Sequence, residues 1–223
     1  CPTLDHIFAA YEQQLFGCQP ALTFAQAWSH PIFSELMHLS YASYFPMIAI
    51  ITLFYFFCRY KEFDRTEFIL LSSFFIFYVI FVFLPVTGPQ YYYLAAGVDN
   101  IAHGVFPNVG SYFATHNEAL TMPGYSDGLF YQCVESAHET GEQPTAAFPS
   151  SHVGVTTIMM ILAWRSHNKL LFFGMLPLFA LMCFATVYIQ AHYAIDVIAG
   201  WVSGIAFFAV LHFLYGKIWS VRK

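Results

Sequence analysis

A chain of 223 residues has room for one domain and not for a soluble domain beside a membrane one. Only 9% of its residues are charged, while 58% are hydrophobic and 20% aromatic. Soluble domains carry about 25% charged residues, so the composition excludes an ordinary soluble protein and predicts an integral membrane one.

In chain order, Leu4, Ile7, Phe8, Tyr11 and Leu15 recur at helical spacing. They predict a short amphipathic helix over Leu4–Phe16, lying on the outer membrane interface. Five apolar runs follow, near Phe33–Phe57, Phe68–Val86, Phe148–Trp164, Leu170–Tyr188 and Ala194–Tyr215. A membrane-crossing helix needs about 20 mainly apolar residues, and only helices or closed barrels satisfy their backbone in lipid. Runs this continuous predict helices. The expected fold is therefore all-α: a polytopic membrane bundle of about five transmembrane helices, with residues 1–223 as one integral-membrane domain. Pro46 should kink the first span, with Ser40, Ser43 and nearby tyrosines satisfying the freed backbone groups. The polar stretch Thr87–Ala147 carries acidic side chains and no Lys or Arg. It reads as a long outer loop, and a loop of that length is usually functional. Within it Tyr91, Tyr92 and Tyr93 suit an interfacial aromatic belt. In the last span Gly200 and Gly204 form a GxxxG pair suited to close helix packing, within the chain in preference to dimerisation.

The cations give an orientation. They fall in three clusters: Arg59, Lys61 and Arg65; Arg165 and Lys169; Lys217, Arg222 and Lys223. These follow the first, third and fifth spans, so all lie on one side, cytoplasmic by the positive-inside rule. An odd number of spans places the N-terminus outside and points to a leader or earlier span removed before Cys1. A lipid-modified Cys1 and an arbitrary chain boundary both fit. Cys1, Cys18 and Cys133 lie on the outer side, where disulfides are permitted, and a Cys18–Cys133 bridge is one pairing open to them.

Three segments share the outer rim: 84–90, 148–152 and 190–196. In the second, Pro149, Ser150 and Ser151 form a helix start. Its first N–H groups and dipole make a ready anion site, with His152 in the first turn. An ordinary capped helix with an interfacial His is the plainer reading. In the third, His192 and Asp196 are four residues apart, on one face if the helix has begun. A carboxylate bonded to one imidazole nitrogen fixes the tautomer and leaves the other as nucleophile or base. A structural pair closing the bundle mouth is the alternative, but ionisable groups inside an apolar span are costly and usually functional. Two His and one Asp make a weak metal set.

Pro-Ser-Ser-His at 149–152, followed forty residues on by His-Tyr-Ala-Ile-Asp-Val-Ile-Ala-Gly at 192–200, resembles the second and third motifs of the type-2 phosphatidate phosphatase superfamily. Those motifs usually read Pro-Ser-Gly-His and Ser-Arg-x5-His-x3-Asp. The resemblance runs from the second span to the end of the chain. It implies a membrane-embedded phosphatase acting on a lipid phosphate or pyrophosphate, with His192 forming a phosphohistidine, Asp196 orienting it and His152 protonating the leaving oxygen. It also implies that Ser150 and Ser151 hold phosphate oxygens. Gln90 stands where the family's first motif would place Arg, and Ala185–Thr186 replace Ser-Arg. Sites this poor in cations resemble the inositol-phosphorylceramide and sphingomyelin synthase branch, which moves a phospho-headgroup between lipids. A phosphotransferase is thus one alternative, and a non-catalytic lipid-binding or transport module another. The expected partners are a lipid phosphate and membrane lipids, with no nucleic acid, cofactor or metal. The site is expected on the non-cytoplasmic face. From His152 to Trp164 there are only thirteen residues, about 20 Å of helix against a core of about 30 Å, so His152 is expected below the membrane surface.

Overall fold

The computed structural model describes residues 2–141 and 146–220, without the side chains of 139–141 and 218–220. Cys1, Arg222 and Lys223 lie outside the described residues. Eleven α-helices follow one another: α1 (Asp5–Phe16), α2 (Pro20–Ala27), α3 (Pro31–Ala42), α4 (Tyr44–Cys58), α5 (Tyr60–Phe83), α6 (Pro89–Ala96), α7 (Val98–Ala102), α8 (Leu129–Gly141), α9 (Ser151–Arg165), α10 (Lys169–Tyr188) and α11 (Ala194–Ser220). No strand is formed among the described residues, only an isolated bridge between Val86 and Ala146. The all-α membrane class read from the sequence is the class observed.

Helices α5, α10 and α11 are long and apolar enough to cross a bilayer, and α3 with α4 make a fourth span if the pair is counted as one. That pair bends by 45°. Pro46 accounts for the place: its ring excludes the carbonyl four residues back, that of Ala42, where α3 ends. The Ser43 hydroxyl donates to Ser40 O at 2.6 Å, at the kink as expected, whereas the Ser40 hydroxyl leaves the kink and donates to Leu178 O of α10 at 2.8 Å. The third expected span, α9, has 15 residues, about 22 Å, and by itself falls short of the hydrocarbon core. It can be short because it is the centre of the bundle, packed on α4, α5, α10 and α11. In the three long spans only 22–33% of the apolar window is buried within the fold. Their remaining apolar faces are turned outward, as lipid requires.

Gly200 and Gly204 make the α9–α11 crossing. A Cβ on Gly204 would stand 2.5 Å from Gly154 O, and one on Gly200 2.7 Å from Ser150 O. The GxxxG pair therefore packs within the chain.

Three expectations are corrected. Thr87–Ala147 is no open loop: it contains α6, α7, a 3-10 turn at Tyr112–Ala114 and α8. Tyr92 and Tyr93 are fully buried and so are no aromatic belt. Their hydroxyls donate to Pro107 O and to Gln19 Oε1, which is what makes burial of a phenol tolerable. Cys18 and Cys133 are both free thiols, Cys18 beyond the end of α1 and Cys133 on α8.

The cation clusters meet at one end of the bundle. Arg59 donates to Ser166 O at 2.6 Å, the Arg65 guanidinium lies 5.2 Å from the Tyr215 ring, and Arg165 lies 5.8 Å from that of Phe208. The three motif segments meet at the other end.

Candidate active site

Backbone hydrogen bonds sew the three segments together. Ala147 N–H donates to Val86 O (2.9 Å), Gln90 N–H to Gln190 O (2.9 Å) and Ser150 N–H to Asp196 O (3.1 Å). Gly88 sits where they converge, at φ +92° and with Ala191 O 2.5 Å from where a Cβ would be. Both the angle and the space demand glycine.

His192 is placed twice over. Its backbone N–H donates to Thr186 O at 3.0 Å, and its ring Nδ1 lies 2.8 Å from Ala147 O. A carbonyl can only accept, so Nδ1 carries a proton, and in the neutral imidazole this leaves the lone pair on Nε2. Nε2 faces His152 Nδ1 at 3.5 Å. Asp196 Oδ2 stands 3.7 Å from His192 Nδ1, beyond hydrogen-bond range, and accepts instead from Tyr193 N–H at 2.8 Å. The expected Asp196–imidazole bond is thus replaced by an Ala147 carbonyl bond. The reason is that α11 begins at Ala194, so His192 precedes the helix and the i,i+4 geometry does not apply.

His152, in the first turn of α9, is stacked on Tyr41 (centroids 4.6 Å apart, planes at 26°) and flanked by Tyr44 (4.4 Å). Ser150 is buried, its hydroxyl capping α9 by accepting from Val153 N–H. Ser151 faces the neighbouring cavity, as does Gln90, whose side-chain amide donates to Leu120 O at 2.9 Å.

That cavity, of about 890 Å³, runs from the two histidines between α3, α4, α5 and α8. Its walls are largely apolar and rich in aromatic rings, including Tyr44, Phe74, Phe77, Phe81 and Tyr91. Phe45, Tyr78 and Val82 line it and are also exposed on the outer apolar surface of α4 and α5, so it reaches the lipid-facing side of the fold. None of the described residues lining it is Asp, Glu, Lys or Arg.

Sequence reasoning missed the acids behind the site. The buried face of α1 is Asp5, Ala9 and Glu12, while Ile7, Tyr11 and Leu15 point outward. Asp5 accepts from the N–H groups of Thr87 and Gly88 (3.0 Å each) and from the Tyr193 hydroxyl (3.3 Å). Glu12 accepts from Ala194 N–H, capping α11. Burial raises the Asp5 carboxyl against those opposing hydrogen bonds. Burial, with the nearby Asp196 charge, pushes Glu12 up to about 8. The signal available was two acids one heptad apart, on the flank about 90° round the helix from the apolar stripe. Tyr41 and Tyr44 were noticed only as neighbours of the kink, and His138, which also lines the cavity, was not singled out.

Among the described residues no three His, Cys, Asp or Glu side chains converge to hold a metal ion. A family model described as the PAP2 superfamily matches residues 6–210. No curated protein and no solved structure matches the chain.

Proposed function

The chain belongs to the PAP2 (type-2 phosphatidate phosphatase) superfamily, a membership that carries phosphatase-type activity on lipid phosphates, and we propose that it turns over a lipid phosphate or pyrophosphate through a phosphohistidine on His192. The observation that carries this reading is the His192 Nε2 lone pair, opposed to His152 at the inner end of an aromatic cavity that reaches the lipid-facing surface. In the first step Nε2 attacks phosphorus. The P–O bond to the lipid breaks, and the departing oxygen takes its proton from His152. Water then gives a proton to the now basic His152 and attacks phosphorus, the P–N bond breaks, and phosphate leaves with His192 and His152 both restored. Ala147 O holds the Nδ1 proton throughout, and Asp196, 3.7 Å away, stabilises the positive charge that builds on the ring. Ser151 and the first N–H groups of α9 face the phosphate oxygens.

One observation favours a second reading. With no Lys or Arg lining the cavity, a phosphomonoester dianion is weakly neutralised, and electrostatic stabilisation is usually the largest catalytic contribution. A phosphodiester carries one negative charge and needs less. A lipid hydroxyl in place of water in the second step makes the protein a headgroup phosphotransferase. Because the cations gather at the opposite end of the bundle, the site is proposed on the non-cytoplasmic face.

The deciding assay offers purified protein a panel of lipid monophosphates, pyrophosphates and phosphodiesters, scoring both free phosphate and new lipid species. Free phosphate alone supports hydrolysis; new phospholipid supports transfer. Lipid binding with no turnover of any member overturns both in favour of a non-catalytic module.

A further inference from the structure

We propose that His138, on α8, is a third site histidine that holds the substrate's phosphate oxygens as a cation while His192 attacks and His152 protonates; this rests on the phosphohistidine reading above. Phosphorus chemistry needs positive charge beside the developing oxyanion. Beyond the N–H groups of α9, the only side chains lining this cavity that can supply it are imidazoles, because His138, His152 and His192 are the only lining residues of basic type among those described. Two of the three are committed elsewhere. His192 must present a lone pair at Nε2, and with its one proton held by Ala147 O it is neutral. His152 carries the proton it will give away. The lasting charge therefore falls to His138.

Its position suits the task. Tyr41 stacks on His152 at 4.6 Å with one face and receives His138 edge-on at 5.9 Å and 87°, so one phenol ring fixes two imidazoles to the same wall. Nor is it adrift on a loop. Helix α8 packs along α3, and the Glu35 carboxylate of α3 accepts the N–H groups of Phe130 and Tyr131 at 3.1 Å each, capping the first turn of α8. The Tyr131 hydroxyl closes the arrangement on Met122 O. The long segment between α5 and α9 thus delivers to the cavity a basic group that the missing cations leave the site without.

The rival account is that His138 merely packs its ring on Tyr41, and the two differ in which replacements work. In the full-length protein assayed on a lipid phosphate, His138→Gln and His138→Phe should raise KM by about ten- to a hundredfold, the range for losing a hydrogen bond to a charged group. The same variants should weaken calorimetric binding of inorganic vanadate by a similar factor, and His138→Lys should restore both. In the wild-type protein, vanadate should shield His138 from diethyl pyrocarbonate together with His152 and His192. His138→Phe matching wild type in KM and vanadate affinity overturns the proposal and leaves the enzymatic reading intact. So does modification of His138 that vanadate does not slow, a measurement that needs no variant to fold. A wild-type protein that turns over no lipid phosphate overturns the phosphohistidine reading, and this proposal falls with it.

Discussion

His192 is held by two carbonyls, Thr186 O on its backbone and Ala147 O on its ring, and this decides how single substitutions at the site should rank. His192→Ala and His152→Ala should each cost at least the 10²–10⁴-fold that positioned proton transfer is worth, with the protein still eluting as a folded species. A properly folded variant that keeps near-normal rate refutes the assigned roles. Asp196→Asn should cost less than either, because the tautomer does not depend on the carboxylate and an asparagine oxygen can still accept from Tyr193 N–H. An Asp196→Asn loss equal to that of His192→Ala would show that the carboxylate, not the Ala147 carbonyl, governs the ring. At this scale the two histidines were legible because their motifs are contiguous. The Ala147 acceptor was not, because it lies 45 residues from His192 and offers only a backbone oxygen.

Among the elements, α1 and the α9–α11 pair do most to hold the site. Glu12 caps α11 while keeping its proton to about pH 8, whereas an unfolded chain releases it near 4.5. Between those values the unfolded state binds fewer protons than the folded one, so stability falls as pH rises and levels off above about 8. One proton sets a slope of up to about 1.4 kcal/mol per pH unit. Glu12→Gln should flatten that slope, which melting temperatures in detergent at pH 5, 7 and 9 would reveal; unchanged pH dependence counts against a protonated Glu12. At the α9–α11 crossing, Gly204→Val must force backbone apart, since the contact is with Gly154 O. Overpacking of this kind costs about 1–3 kcal/mol, and activity should fall with stability because α9 carries His152. Gly216 on the same helix has nothing among the described residues within 4 Å of an added Cβ, so Gly216→Ala should be neutral or gain about 0.5–1 kcal/mol from helix propensity. Equal effects from the two glycine variants would refute the packing argument. The apolar stripe of α1 was read correctly as a stripe. That Asp5 and Glu12 turn inward with Leu4 and Phe8, while Ile7, Tyr11 and Leu15 face out, follows from the N–H groups that Thr87, Gly88 and Ala194 offer the two acids.

For the whole molecule, the separation of the Lys and Arg clusters from His152 and His192 sets the orientation to be tested. A single cysteine at exposed Ser126, in a background cleared of the native free thiols, should react with a membrane-impermeant reagent from the non-cytoplasmic side. Reaction only after the cytoplasmic compartment is opened would invert the topology. Because the cavity reaches the apolar surface between α4 and α5, long-chain lipid phosphates should be turned over far faster than small soluble esters, and comparable rates would refute lipid-side access. The sequence by itself determined the membrane class, the helical runs, the Pro46 bend and the ordered motif pair, since each depends on residues adjacent in the chain or a helical turn apart. Tertiary structure alone decided that α9 is the central helix of the bundle, that α6, α7 and α8 form between α5 and α9, and that Asp5, Glu12, Tyr41 and His138 gather behind or beside the site histidines. Those outcomes rest on contacts between segments far apart in the chain, such as Asp5 with Tyr193, where burial and hydrogen-bond geometry, not periodicity, select the partner.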